Sequence, residues 1–310
     1  MKIAVSVKTF SKNQVLVNEL LEFYPGSKVN HDNIHLKGTE LVDFIQGYEG
    51  IIIGLENIDE RILQSCPALK VISKYGVGLD NIDFNACDKY GIPVLFEKGV
   101  NKTSVAELTL GFFLALGRNI HSTCCELKTQ VWNKSGGVDL SHKTIGIVGV
   151  GNIGKEVIRL IKPFNCKILV NDIIDQTDYY KIKDVEEVSK EELLRNSDFI
   201  SIHTPLNPEM YHFICKSTLS LMKPGSFLIN TARGAIINSS DLKWALESKI
   251  IKGAALDVYE QEPPLNFDLI SMPNVICTPH IGGGSEEAVL AMGRSSISLL
   301  RRYELENLVP

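Results

Sequence analysis

The sequence predicts an α/β protein of two doubly wound parallel-sheet domains, and three observations predict it. Ten short runs of branched apolar residues are separated by stretches with helical periodicity. The runs are continuously apolar rather than alternating, as strands covered on both faces require. They also fall into two groups, divided by one long helical stretch. At 310 residues the chain is long enough for about two domains, each with its own core.

In chain order, the first group reads "KIAVSV", "GIIIG", "KVIS" and "PVLF". Then comes "NKTSVAELTLGFFLALGR", where Ser104 and Glu107 stand at capping-box spacing and apolar residues recur at 105, 108, 112 and 116. This predicts a long helix, the hinge between the domains. The second group is "TIGIVGVG", "KILVND", "DFISIHT", "SFLINT", "GAALDV" and "VICTP", and 284–310 reads as a helix with a charged tail. There are no solenoid-period repeats and no low-complexity tracts.

Composition excludes several functions. A net charge of -5 without a concentrated basic face gives no reason to expect a nucleic-acid partner. The N-terminal apolar run is too short for a signal peptide, and "LGFFLALG" cannot span a bilayer. No membrane association is therefore expected, and a cytoplasmic location is. Seven cysteines, with no CxxC and no Cys/His cluster, read as reduced thiols with no metal site.

The chemistry starts at "TIGIVGVGNIGKEVIRLI". Gly149, Gly151 and Gly154 form G-x-G-x-x-G between a strand and a helix. The first glycine suits a tight turn, the second lets backbone approach a pyrophosphate, and the third lets helix pack close to strand. The next strand ends in Asp172, 23 residues after Gly149, near the distance expected for the carboxylate that accepts from the adenosine ribose. A 2'-phosphate about 4 Å from that carboxylate would be repelled by roughly 4 kcal/mol per charge pair. No arginine follows to offset this, so the expected cofactor is NAD.

Three more strand ends carry charged or titratable groups. Arg233 follows "SFLIN" by three residues, with Gly234 beside it, and its planar fork suits a substrate carboxylate or an interdomain ion pair. Glu262 lies five residues after Asp257, and His280 stands between a proline and three glycines. If Glu262 accepts from one ring nitrogen of His280, the imidazolium is stabilised and the other nitrogen is aimed outward as a proton donor. With NAD, these groups imply interconversion of a 2-hydroxy acid and a 2-oxo acid.

"VGVGNIG", "LMKPGSFLINTARGAIIN", "GAALDVYEQEP", "TPHIGG", "ISKYGVGLDNID" and "NKTSVAEL" resemble, in order and spacing, the D-isomer-specific 2-hydroxyacid dehydrogenases over nearly the whole chain. The resemblance implies Rossmann-like domains: a discontinuous substrate domain, 1–100 and 283–310, into which an NAD-binding domain, 101–282, is inserted. It implies Arg233, Glu262 and His280 as catalytic residues. Asn152 and Ile153 would meet the pyrophosphate, His203, Thr204 and Pro205 would line the adenine pocket, and Thr231, Ala232, Asp257, Gly282 and Gly283 would lie near the nicotinamide. Backbone N–H groups of Val77 and Gly78 would hold the substrate carboxylate.

Within the family the likeness is nearest to the 3-phosphoglycerate branch. Lys134 in "VWNK" and Lys74 then correspond to phosphate-binding positions, with a purely structural or solvated role the alternative, and Glu56 departs from the pattern because it would repel a phosphate. Hydroxypyruvate, glyoxylate or another short 2-oxo acid is the second substrate class. The family's formate dehydrogenases carry Gln where this chain has Glu262. A homodimer joined through the cofactor domain, with the 104–118 helix and Trp132 in the interface, is implied by resemblance alone. A different class, a non-enzymatic NAD-sensing corepressor, shares the scaffold.

Overall fold

The computed structural model describes residues 1–32, 34–265 and 267–307. The chain forms two compact units. Met1–Asn101, joined by the segment that starts at Gly283, makes one, and Lys102–Gly282 makes the other.

The first unit holds strands β1 (Ile3–Val5), β2 (Lys28–Val29), β3 (Gly50–Ile53), β4 (Val71–Lys74) and β5 (Val94–Leu95). All pair in parallel, in the order β2-β1-β3-β4-β5. Their continuous apolar character follows from the pleat. Ile51 and Ile53 enter one core cluster with Leu41 and Leu63, while Ile52 enters the opposite one with Leu16 and Leu300. Each such fully buried side chain contributes roughly 1.5–3 kcal/mol of transfer free energy. The helix Glu286–Asn307 returns to this unit and buries Ala288, Met292, Ile297 and Leu300. Gly293 is small because a Cβ there would stand 2.4 Å from Leu16.

The second unit holds β6 (Thr144–Val148), β7 (Lys167–Asn171), β8 (Glu186–Glu187), β9 (Phe199–Ile202), β10 (Ser226–Asn230), β11 (Ile251–Leu256) and β12 (Val275–Cys277). The order is β12-β11-β10-β9-β6-β7-β8, again all parallel. Strand order reverses between β6 and β9. In an open α/β sheet that reversal opens a crevice outside the carboxyl ends of the strands, where ligands bind.

Two strands have no counterpart in the sequence expectation. Both β2 and β8 are two-residue edge strands, and the side chains of Glu186 and Glu187 are exposed. An edge strand pairs through its backbone on one side only, so it needs no apolar run. The expected capping box also does not form. The helix starts at Lys102, which puts Ser104 inside its first turn, where its hydroxyl donates to the carbonyl of Gly282 at 2.6 Å. Among the described residues no helix is long and apolar enough to cross a membrane.

Candidate active site

The chain leaves β6 through Gly149 with φ at +95°, a region closed to most L side chains. A Cβ there would also stand 2.8 Å from the carbonyl of His203. At Gly154 a Cβ would come within 2.1 Å of the Gly149 carbonyl, so only glycine lets the helix Asn152–Ile161 close onto the strand. Gly151 is different. Nothing lies within 4 Å of a Cβ added there, and no side chain caps the helix that follows. Open donors at a helix N-terminus, beside unobstructed space, are what a pyrophosphate requires.

Asp172 directly follows β7. Its carboxylate accepts from the N–H of Val150 at 2.5 Å and of Ile174 at 2.9 Å, which ties the glycine loop to the neighbouring strand end. A carboxylate has about four acceptor sites, so capacity remains for ribose hydroxyls. His203 follows β9, its Nε2 paired with the Ser201 hydroxyl at 2.9 Å. Burial pushes its pKa down to about 3, so the ring is neutral. Its Nδ1 and the adjacent Thr204 hydroxyl are buried without a hydrogen-bond partner among the described residues, and Pro205 is exposed beside them. An unsatisfied buried polar atom costs about 1–3 kcal/mol, which a ligand's polar edge would relieve. A sterically open glycine, an uncapped helix, a carboxylate at the next strand end and two orphaned polar atoms together fit NAD.

The Arg233 turn is built by Asn230, the fully buried last residue of β10. Its amide oxygen accepts from the N–H of Ala232 at 3.0 Å, and its amide nitrogen donates to the carbonyl of Arg233 at 2.9 Å. Thr231 is pinned by a 3.1 Å contact between its hydroxyl and that of Thr109. A guanidinium nitrogen of Arg233 donates to the Ala232 carbonyl at 2.7 Å. At Gly234, a Cβ would fall 1.8 Å from the carbonyl carbon of Tyr259. Glycine therefore allows the Arg233 turn to run directly against the loop after β11.

That loop begins with Asp257, which is 1 % exposed. Its carboxylate accepts from the N–H of Ile281 and of Gly282, each at 2.8 Å, and from the Thr278 hydroxyl at 2.6 Å. The His280 segment is thereby fixed, although His280 itself sits at φ +54°. One oxygen of Glu262 accepts from the Tyr259 N–H at 3.1 Å, and the other meets His280 Nδ1 at 2.7 Å. That hydrogen bond raises the His280 pKa against the effect of burial. The charges of Glu262 and Asp257 add to the rise, and the positive charge of Arg233 opposes it. Burial alone would raise Glu262, but its hydrogen bond to His280, the charges of His280 and Arg233 and the Tyr259 N–H hold it below the usual carboxylate range. Gly234 against Tyr259 and the bond between Glu262 and His280 bring the three loops together, and the Arg233 charge acts on both partners. With Nδ1 committed to Glu262, Nε2 is the ring nitrogen that could exchange a proton with a ligand.

A family model described as "D-isomer specific 2-hydroxyacid dehydrogenase, NAD binding domain" matches residues 110–282. The chain belongs to the D-isomer specific 2-hydroxyacid dehydrogenase family. Its cofactor is NAD, and it is an oxidoreductase acting on the CH–OH group of 2-hydroxy acids. It is 37 % identical over 266 residues to a hydroxypyruvate reductase of Thermotoga maritima, covering 84 % of this chain and 86 % of that one. It is 37 % identical over 282 residues to a D-3-phosphoglycerate dehydrogenase of Methanocaldococcus jannaschii, which covers 88 % of this chain but only 54 % of that protein. A crystal structure of D-lactate dehydrogenase from Aquifex aeolicus, complexed with NAD and lactic acid, superposes with a TM-score of 0.88 at 26 % identity over 99 % of this chain and 96 % of that one.

The remaining expected site residues are divided between the two units. Val77 and Gly78 are half-buried in the loop after β4 of the first unit, where Gly76 turns at φ +105°. Lys74 is 4 % exposed; its ammonium donates to the Gly54 carbonyl and to the Asn81 side-chain oxygen, the latter at 2.8 Å. Glu56 is equally buried and accepts from the Gly54 N–H at 2.6 Å. Lys134 is exposed, and Gly283 opens the return segment of the first unit. Gly282 has its place in the second unit beside Asp257, where a Cβ would stand 2.9 Å from the carboxylate.

Sequence reasoning did not single out Asn230, Thr278 or Tyr259. Asn230 carries a weak signal, a polar amide ending an apolar strand. Thr278 and Tyr259 carry none, because their roles appear only when distant segments meet.

Proposed function

We propose that the chain reversibly reduces a short 2-oxo acid to the D-2-hydroxy acid, with Arg233, His280 and Glu262 as its working groups. The 2.7 Å contact between His280 Nδ1 and Glu262, within the field of Arg233, carries this reading. Bound NADH supplies the hydride. Arg233 pairs with the substrate carboxylate through two parallel N–H bonds and so fixes the adjacent carbonyl. His280 Nε2 would give its proton to the carbonyl oxygen. Glu262 stabilises the imidazolium beforehand, and in the reverse direction neutral His280 takes the hydroxyl proton. Such acid–base assistance is worth about 10²- to 10⁴-fold in rate.

3-Phosphohydroxypyruvate is the first candidate substrate, supported by the likeness to the phosphoglycerate dehydrogenase and by exposed Lys134. Hydroxypyruvate or glyoxylate is the second, favoured by the engagement of Lys74 with Gly54 and Asn81 and by the buried carboxylate of Glu56. Steady-state rates with NADH and each of these acids separate the two. No turnover on any acid, with NADH binding intact, would point instead to a sensor. Pairing of two copies through the second unit is supported by the helix Ile120–Lys128, which buries no residue, and by Trp132, which is 75 % exposed.

A further inference from the structure

The turn that carries Glu262 holds a second His–Glu pair. Glu260 has one carboxylate oxygen 2.8 Å from the N–H of Ser239, the first residue of the helix Ser239–Glu247, and the other 2.9 Å from His212 Nε2. The hydrogen bonds around His212 fix its tautomer. Asn238 caps the same helix by accepting from the Asp241 N–H through its side-chain oxygen, so its amide nitrogen faces His212 Nδ1 at 3.4 Å. An amide nitrogen only donates, so Nδ1 must accept and Nε2 must carry the proton that goes to Glu260. The ring is stacked on Tyr211 at 4.1 Å, and its backbone, at φ +50°, donates to the Ala235 carbonyl at 2.9 Å.

These contacts form one frame. Ala235 lies two residues from Arg233, Gly234 abuts Tyr259, and Glu260 lies between Tyr259 and Glu262. His280 spends one ring nitrogen on Glu262, whereas His212 has both committed.

We propose that His212 and Glu260 are positioning residues that hold the Tyr259–Glu262 turn and the Arg233 turn in register, so that Glu262 stays aimed at His280 Nδ1. Neither touches the reacting atoms; both act through Glu262 and Arg233. The inference rests on the function proposed above. The groups that face His280 are Glu262, Asp257 and Arg233. Loosening the turn weakens the Glu262 contact, which is the largest influence raising His280, while the bonds made by Asp257 remain.

Two variants of the full chain test this. His212→Asn tolerates the positive φ but removes the Nε2 donor. Glu260→Gln keeps an acceptor for Ser239 and loses the one for His212, since its amide nitrogen then faces a donor. The His280 ring is titrated by proton NMR, with and without NADH, and kcat/KM for 2-oxo acid reduction is measured against pH. In both variants the His280 midpoint should move down by about half a pH unit or more, and kcat/KM on the alkaline side should fall about tenfold, as with other residues that orient a working imidazole. An unmoved His280 midpoint in either folded variant overturns the proposal, even if thermal stability falls. Because the NMR titration does not need turnover, a wild-type chain inactive on every 2-oxo acid would defeat the proposed reaction without deciding this point.

Discussion

Arg233 is held on both sides, its carbonyl by the side-chain amide of Asn230 and its guanidinium by the Ala232 carbonyl. Arg233→Ala removes the charge without touching the Asn230 bracket. Two charge-assisted hydrogen bonds are worth about 3–4 kcal/mol, so kcat/KM should fall roughly 10²- to 10³-fold while NADH affinity, read by fluorescence titration, is unchanged. His280→Asn suits the left-handed backbone and should lower kcat by about 10²- to 10⁴-fold. The pH profile has a defined sign. On the proposed mechanism reduction needs protonated His280, whose pKa the Glu262 hydrogen bond raises above 6.5, so reductive kcat/KM should decline as pH rises through that raised midpoint. Oxidation of the hydroxy acid should run the opposite way, and two parallel profiles would contradict the assignment. The pairing of Glu262 with His280 was readable from the sequence because both follow successive apolar strands, and the two side chains meet at 2.7 Å. Thr278 and Tyr259 were not, since each matters for a backbone or carboxylate partner that adjoins it only after folding.

The strand–glycine–helix element makes separable predictions for its three glycines. Gly151→Ala meets nothing within 4 Å, so melting temperature should be unchanged while NADH binding weakens about tenfold or more. Gly154→Ala drives a methyl into the Gly149 carbonyl, and it should lower stability by about 2 kcal/mol or more in urea titration, before any effect on cofactor. Similar behaviour of the two would remove the pyrophosphate role from Gly151. Asp172→Ala should raise use of NADPH relative to NADH, with some cost to the glycine loop because the Val150 N–H loses its partner. Periodicity disclosed the central strands of both sheets, each shielded on two faces. It could not disclose β2 or β8, two-residue edge strands too short to show a run, of which β8 leaves both glutamates in solvent. Ser104 misled for a related reason: a hydroxyl at capping distance from an acid looks the same whether it caps its own helix or bonds a carbonyl 178 residues away.

At the scale of the molecule, two parallel sheets were readable from the two groups of apolar runs, whereas of the expected contact surface for a second copy Trp132 is exposed but the 104–118 helix buries Phe112, Phe113 and Leu116 in its own unit, and the exposed helix is Ile120–Lys128. Light scattering should give twice the 34.4 kDa chain mass, and Trp132→Lys should shift the population toward a single chain. The working groups, by contrast, share one address: Gly149 through His280 all fall inside the unit Lys102–Gly282, in a single uninterrupted stretch of chain. Under the proposed function, the groups that bind the cofactor and move the proton are thus inheritable as a cassette. A chain cut to Lys102–Gly282 should therefore still bind NADH, as fluorescence titration would read.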